Sequence, residues 1–125
     1  MSVKQSFILL AIVALISGSP QLWAQKSSTV HGDIVEITSY LKEAIIPNSP
    51  AGKEIAIENV KHGGAFALLE KGTKRLYLIS PKENDTTFVQ TVGPFLGVKS
   101  FIKGKVFSRS GLRLIMMEDI GKSIK

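Results

Sequence analysis

The stretch VKSFIKGKVFSR, residues 98–109, interleaves cations with aromatics. Side chains alternate across a strand with period two. Read as a strand, it puts Lys99, Phe101, Lys103, Lys105, Phe107 and Arg109 on one face and Val98, Ser100, Ile102, Gly104 and Val106 on the other. Lysine and arginine pair with phosphate or carboxylate, while a phenylalanine ring stacks on a base or sugar, a contact worth about 1–3 kcal/mol per base where barrels hold single strands. The competing arrangement packs Phe101 and Phe107 beneath a helix or second layer, with the lysine stems alongside. The two arrangements differ in which side of the strand is buried.

The remaining chemistry-bearing residues are sparse. His31 and His62 are the only histidines. His31 and Asp33 share a strand face, but two ligands at that spacing fall short of the usual two-histidine-plus-carboxylate requirement, even with Glu36 nearby. Met116 and Met117 alternate in a strand and so point to opposite sides, which suits core packing better than copper(I). No serine lies in a GxSxG elbow, and Ser39, Ser80, Ser100 and Ser108 have no histidine base assigned by the pattern. Gly63 and Gly64 are not followed by GK[ST], so they form no phosphate loop. Glu54 and Glu58 lie one helical turn apart and read as a solvated face. The chain has no cysteine, which excludes thiol catalysis, iron-sulfur clusters, thiolate zinc sites and covalent c-type haem. No cofactor motif is present.

The residues that position these groups follow an N-terminal leader. Lys4 precedes an apolar run from Phe7 to Ile16, residues 17–20 (SGSP) break it, and Leu22, Trp23 and Ala24 offer a cleavage site before Gln25. This pattern predicts a secretory signal peptide over residues 1–24. The run is about half the roughly 20 residues a membrane-spanning helix needs, so no transmembrane segment is expected in the mature chain. Residues 25–125 then form one domain, secreted or periplasmic, whose fold stands on packing without disulfides. The mature chain carries 15 basic and 10 acidic residues, a formal charge of +5. Up to Val98 the two signs balance at eight each, and all the surplus lies from Lys99 onward. A concentrated positive field of that kind attracts anionic partners.

Thr29 to Leu41 is rich in β-branched residues and predicts a long first strand. Val30 and Ile34 have one parity and Val35 and Ile37 the other, which a bulge or sharp coil near Ile34, helped by Gly32, would reconcile. Ser49 and Pro50 read as a helix N-cap and first helical position, predicting a helix from Pro50 to about His62 that Gly63 and Gly64 stop, with a strand over EIAIENV as the competitor. Residues 65–69 and 76–79 form a hairpin around Lys71, Gly72, Thr73 and Lys74. FVQTVGPFLG is a helical turn or irregular connector. A last hairpin turns at Arg109, Ser110 and Gly111, where glycine suits a left-handed position. Five strands and one short helix predict a mainly β fold, a small five-stranded OB-like barrel. The alternative is an open antiparallel sheet packed on one helix. The helix precedes the second strand, whereas the usual OB order places it between strands three and four.

HGDIVEITSYL, GGAFALLEKGTKRLYLIS and FIKGKVFSRSGLRLIMMEDI together resemble a family of small exported bacterial proteins with an OB-like barrel. That family's pattern runs from an opening GxVVDxxCYL strand, through a loop carrying His and Cys, to a GG-containing strand, a GxLYLL strand and a closing VxGxVxxxxGxxxIxVxxI hairpin. The resemblance implies fold and export for nearly the whole mature chain. Where the pattern has cysteine this chain has Ser39, with Ile55 and Asn59 at the corresponding loop positions, so no metal or redox role carries over. The reading is an exported, non-enzymatic binding or interaction module for an anionic ligand or envelope protein, with Lys99, Phe101, Lys103, Lys105, Phe107 and Arg109 as ligand-binding residues. Nucleic acid is disfavoured by export. The alternative is an accessory subunit docking to another envelope protein through Phe101 and Phe107, and a small metal-binding protein or enzyme ranks below both.

Overall fold

The computed structural model describes residues 26–124; the leader expected over residues 1–24 and its cut before Gln25 lie outside them. The elements are β1 (Ser27–Glu36), α1 (Ile37–Glu43), α2 (Pro50–Lys61), β2 (Phe66–Glu70), β3 (Leu76–Ser80), α3 (Phe88–Val92) leading into a 3-10 turn (Gly93–Phe95), β4 (Lys99–Arg109) and β5 (Leu112–Lys122). The strands close in the order β1-β2-β3-β5-β4. All neighbours are antiparallel except β3 and β5, which run parallel. This is a closed, OB-like barrel, so the open-sheet alternative does not apply. Three short helices replace the single one expected.

The barrel interior is filled by Ile34, Leu68, Leu96, Ile102 and Ile115, all essentially without solvent exposure. Val92 and Leu96, from α3 and the segment after it, join this cluster, with Phe88 and Phe95 packed against it. Ser100, Ile102 and Gly104 are buried, as the inward parity of β4 requires, and Val106 is half-buried against the same core. Met117 lies in the core and Met116 does not, in line with their opposed faces.

β1 departs from expectation twice. It ends at Glu36, and Ile37–Glu43 form a helix despite Ile37 and Thr38. The cause is local: the Glu36 carboxylate caps the helix by accepting from the Thr38 and Ser39 amides at 2.8 and 2.9 Å. Such a cap satisfies amides that have no partner in the first turn. Of the bulge or sharp coil expected near Ile34, the bulge is absent, since β1 keeps unbroken register with β4 from Ser27 to Asp33 and with β2 from Gly32 to Glu36. Instead both faces of its end are covered. Ile34 enters the barrel, while Val35 joins Ala67 and Leu69 in a second cluster beneath Ile37, Tyr40 and Ile46.

α2 matches its sequence signals closely: Ser49 accepts from the Gly52 amide at 3.1 Å and Pro50 opens the helix. The register shift of the barrel falls in the last hairpin, between Lys103 and Gly104. There Asp119 faces Lys103 and Met117 faces Gly104, so Glu118 is the extra residue, which marks a β-bulge. Among the described residues, no helix is long and apolar enough to cross a membrane.

Candidate anion-binding face

β4 runs along one side of the barrel and then beyond it. Its pairing with β1 ends at Lys105 opposite Ser27, whereas its pairing with β5 continues to Arg109 opposite Leu112. β5 is held by β3 only from Leu114 to Met116. Residues 106–113 therefore form a two-stranded tip supported on fewer sides than the rest of the hairpin. Ser110 and Gly111 close it with φ of 53° and 83°, the left-handed pair of a tight two-residue turn. A larger side chain at Gly111 would meet no steric obstacle, but would have to adopt a conformation that L-residues disfavour.

All six sequence-assigned residues lie on the outward parity of β4, so none packs under a helix in the barrel core. They do not share one environment. Phe101 is half-buried: its ring lies 6.1 Å from the His31 ring, centroid to centroid, and occupies the space above Gly121, where an added Cβ would come within 2.6 Å of the ring. Lys99 stands opposite Asp33, and Lys103 stands between Thr29 and Asp119. Carboxylates on the flanking strands thus offset the cations nearest the barrel's middle. From Lys99 to Met117 the sequence has no Asp or Glu, and toward the tip the flanking strands contribute Ser27, Met116, Leu114 and Leu112 instead. Glu118 accepts from the Ser27 hydroxyl at 2.6 Å, which brings its carboxylate over β4 beside Lys105, so the unopposed positive charge is Arg109 and Arg113. The one ion pair among the described residues joins Lys61 and Glu58, at 3.6 Å.

Phe107 and Leu112 are 41% and 68% exposed at this tip. With Leu78, Leu114, Arg109 and Arg113 they line an open cleft of about 700 Å³. Leu78, Leu112, Leu114 and Arg113 escaped sequence reasoning, because the parallel β3–β5 pairing that brings Leu78 opposite Leu114 has no local signal.

Three other places could carry function. A cavity of about 170 Å³ is lined by Lys99 with His31, Asp33, Glu70, Lys71, Lys74 and Ser123. Its charges are mixed: Glu70 accepts from Thr73 and Tyr77 hydroxyls, and His31 Nδ1 lies 3.0 Å from Ser123 Oγ. His62 bonds within its own helix, its Nδ1 lying 2.8 Å from the Glu58 carbonyl, and no group of three metal-ligating side chains occurs among the described residues. An apolar groove of about 570 Å³ runs between α2 and the α3 region, lined by Ile57, Val60, Phe66, Val89 and Leu96.

The third is the buried carboxylate of Glu36, which also accepts from Asn59 Nδ2 at 2.8 Å. Burial works against its charge, but the donors from Asn59, Ser39 and Thr38 outweigh that and hold the carboxyl below its ordinary value. Ser39 and Asn59 thus serve this cap. Gly64 passes so close that an added Cβ would lie 2.6 Å from Glu36 Oε2. Saturated with donors and enclosed, Glu36 is a structural group.

No protein-family model matches the chain, and neither a curated protein nor a solved structure is significantly similar to it.

Proposed function

We propose that this protein is an exported, non-enzymatic binding module that takes an anionic ligand on the outward face of β4. The observation that carries this reading is the run of cations on that face, Lys99, Lys103, Lys105 and Arg109, none of which is in an ion pair with another described residue. A rigid strand holds them in line and Phe107 stands among them exposed. The reading assigns contact roles to the tip pair Phe107 and Arg109 and a steering role to Lys99 and Lys103, whose opposed carboxylates weaken their local field. Binding through several cations releases counterions, so affinity should fall as salt rises and each lost contact should flatten that dependence.

The experiment is retention on heparin between low and physiological salt for the parent and for a Lys99→Gln, Lys103→Gln, Lys105→Gln variant. Salt-sensitive retention that weakens about tenfold or more in the variant is expected. Equal retention of the two, or none at low salt, overturns the reading. A second reading, an accessory subunit, is favoured by a different surface from the one the sequence suggested: the apolar groove with exposed Ile57 and Val89. Salt-insensitive association with a partner protein, abolished by Val89→Asp, would support it.

A further inference from the structure

We infer that the β4–β5 tip docks on an anionic lipid surface, with Phe107 and Leu112 entering the interface and Lys105, Arg109 and Arg113 meeting the headgroup phosphates. The inference rests on the anion-binding reading of β4 and adds the apolar tip to it. Three observations converge on these eight or so residues.

The first is charge. Away from the tip, the cations of β4 have Asp33 and Asp119 opposite them and Glu118, bonded to Ser27, beside Lys105, whereas Arg109 and Arg113 have no carboxylate opposite. The second is apolar exposure: Leu112 at 68% and Phe107 at 41% are both exposed large hydrophobic side chains, and they sit on adjacent strands of one hairpin. An isolated exposed leucine is ordinary, but an apolar pair inside a cationic ring is the pattern of surfaces that meet membranes. The third is shape. The tip runs four residues past Lys105, roughly 13 Å at about 3.3 Å per residue. That is enough to place its end in the outer 5–10 Å of a bilayer, where interfacial groups reside.

A polyanion without an apolar part satisfies the arginines and leaves Leu112 in water. A lipid surface satisfies both. Its phosphates meet the cations, while the acyl boundary accepts the side chains. Leu78 and Leu114 line the cleft behind the tip and offer an apolar floor for a chain segment close to the headgroup.

The test uses the protein from Gln25, which carries every strand of the barrel, and co-sedimentation with vesicles of phosphatidylcholine alone or mixed equally with phosphatidylglycerol. The expected result is binding to the mixed vesicles only, weakened about tenfold or more by Phe107→Ser with Leu112→Ser, while Leu112→Ser alone weakens vesicle binding and leaves heparin retention as it is in the parent. Both side chains lie outside the core, and a second variant, Leu112→Trp, reports insertion directly through a blue shift of its emission on mixed vesicles. Vesicle binding unaffected by the serine changes, or heparin retention without vesicle binding, overturns the lipid inference alone. Loss of both heparin and vesicle binding at low salt overturns the anion reading with it. A dimer in the absence of lipid that the serine variant returns to monomer would assign the tip to a second copy and overturn the inference as well.

Discussion

Glu36 is the residue on which the N-terminal half turns. It ends β1, caps α1 and ties α2 through Asn59. Its folded carboxyl is held below the ordinary value, so its contribution is present above the unfolded carboxyl value, about 4.3, and is lost as pH falls through the folded value. Glu36→Gln is therefore expected to destabilise by about 1–3 kcal/mol at pH 7, the range for disturbing a buried charged hydrogen-bond set. The gap between parent and variant should shrink at pH 3. Urea melts at the two pH values check this, and an unchanged gap would show that the charge is irrelevant. None of this was legible in the sequence: glutamate is not among the preferred N-cap types, and its partner Asn59 is 23 residues away. The same local cap explains why Ile37 and Thr38, read as strand, turn into helix.

Among the elements, the hairpins and α2 were legible because their signals are short-range: turn glycines, a serine–proline start and alternating apolar residues. The parity of β4 was legible for the same reason, and it correctly separated buried Ile102 from exposed Phe107. The double parity of β1 pointed to something unusual, but a bulge and a second hydrophobic cluster leave the same trace in one strand's sequence. Only the position of α1 over Val35 decides between them. Within β4, residues 100–105 lie between β1 and β5, while residues 106–109 pair with β5 alone. Hydrogen exchange should accordingly be slower in the first group by about a factor of ten or more, since opening free energy follows the number of neighbours that must separate. Uniform protection along β4 would mean that the tip is not independently able to open.

For the molecule as a whole, composition located the surplus charge in the last quarter, but only the closed barrel shows that flanking carboxylates moderate half of it and leave the hairpin end unopposed. Strand count and order pointed to closure; the parallel seam between β3 and β5 was invisible because pairing across 36 residues carries no local pattern. That seam also constrains how the barrel can come into being. A chain lengthens from its N-terminus, and until β4 and β5 exist, β1 through β3 form only a meander whose two outer edges have bare amides and carbonyls. Such edges invite pairing with other chains. β4 repairs one edge and β5 alone joins β4 to β3, so the last strand to be synthesised is the one that seals the sheet. Ending the chain after Arg109 is expected to abolish cooperative unfolding and yield aggregates, which thermal melts and size-exclusion chromatography would reveal. A cooperative transition surviving that truncation would contradict this order. The growing polypeptide therefore stays unfinished as a fold until β5 has been made, an open-edged chain whose self-protection arrives with the strand that closes the barrel.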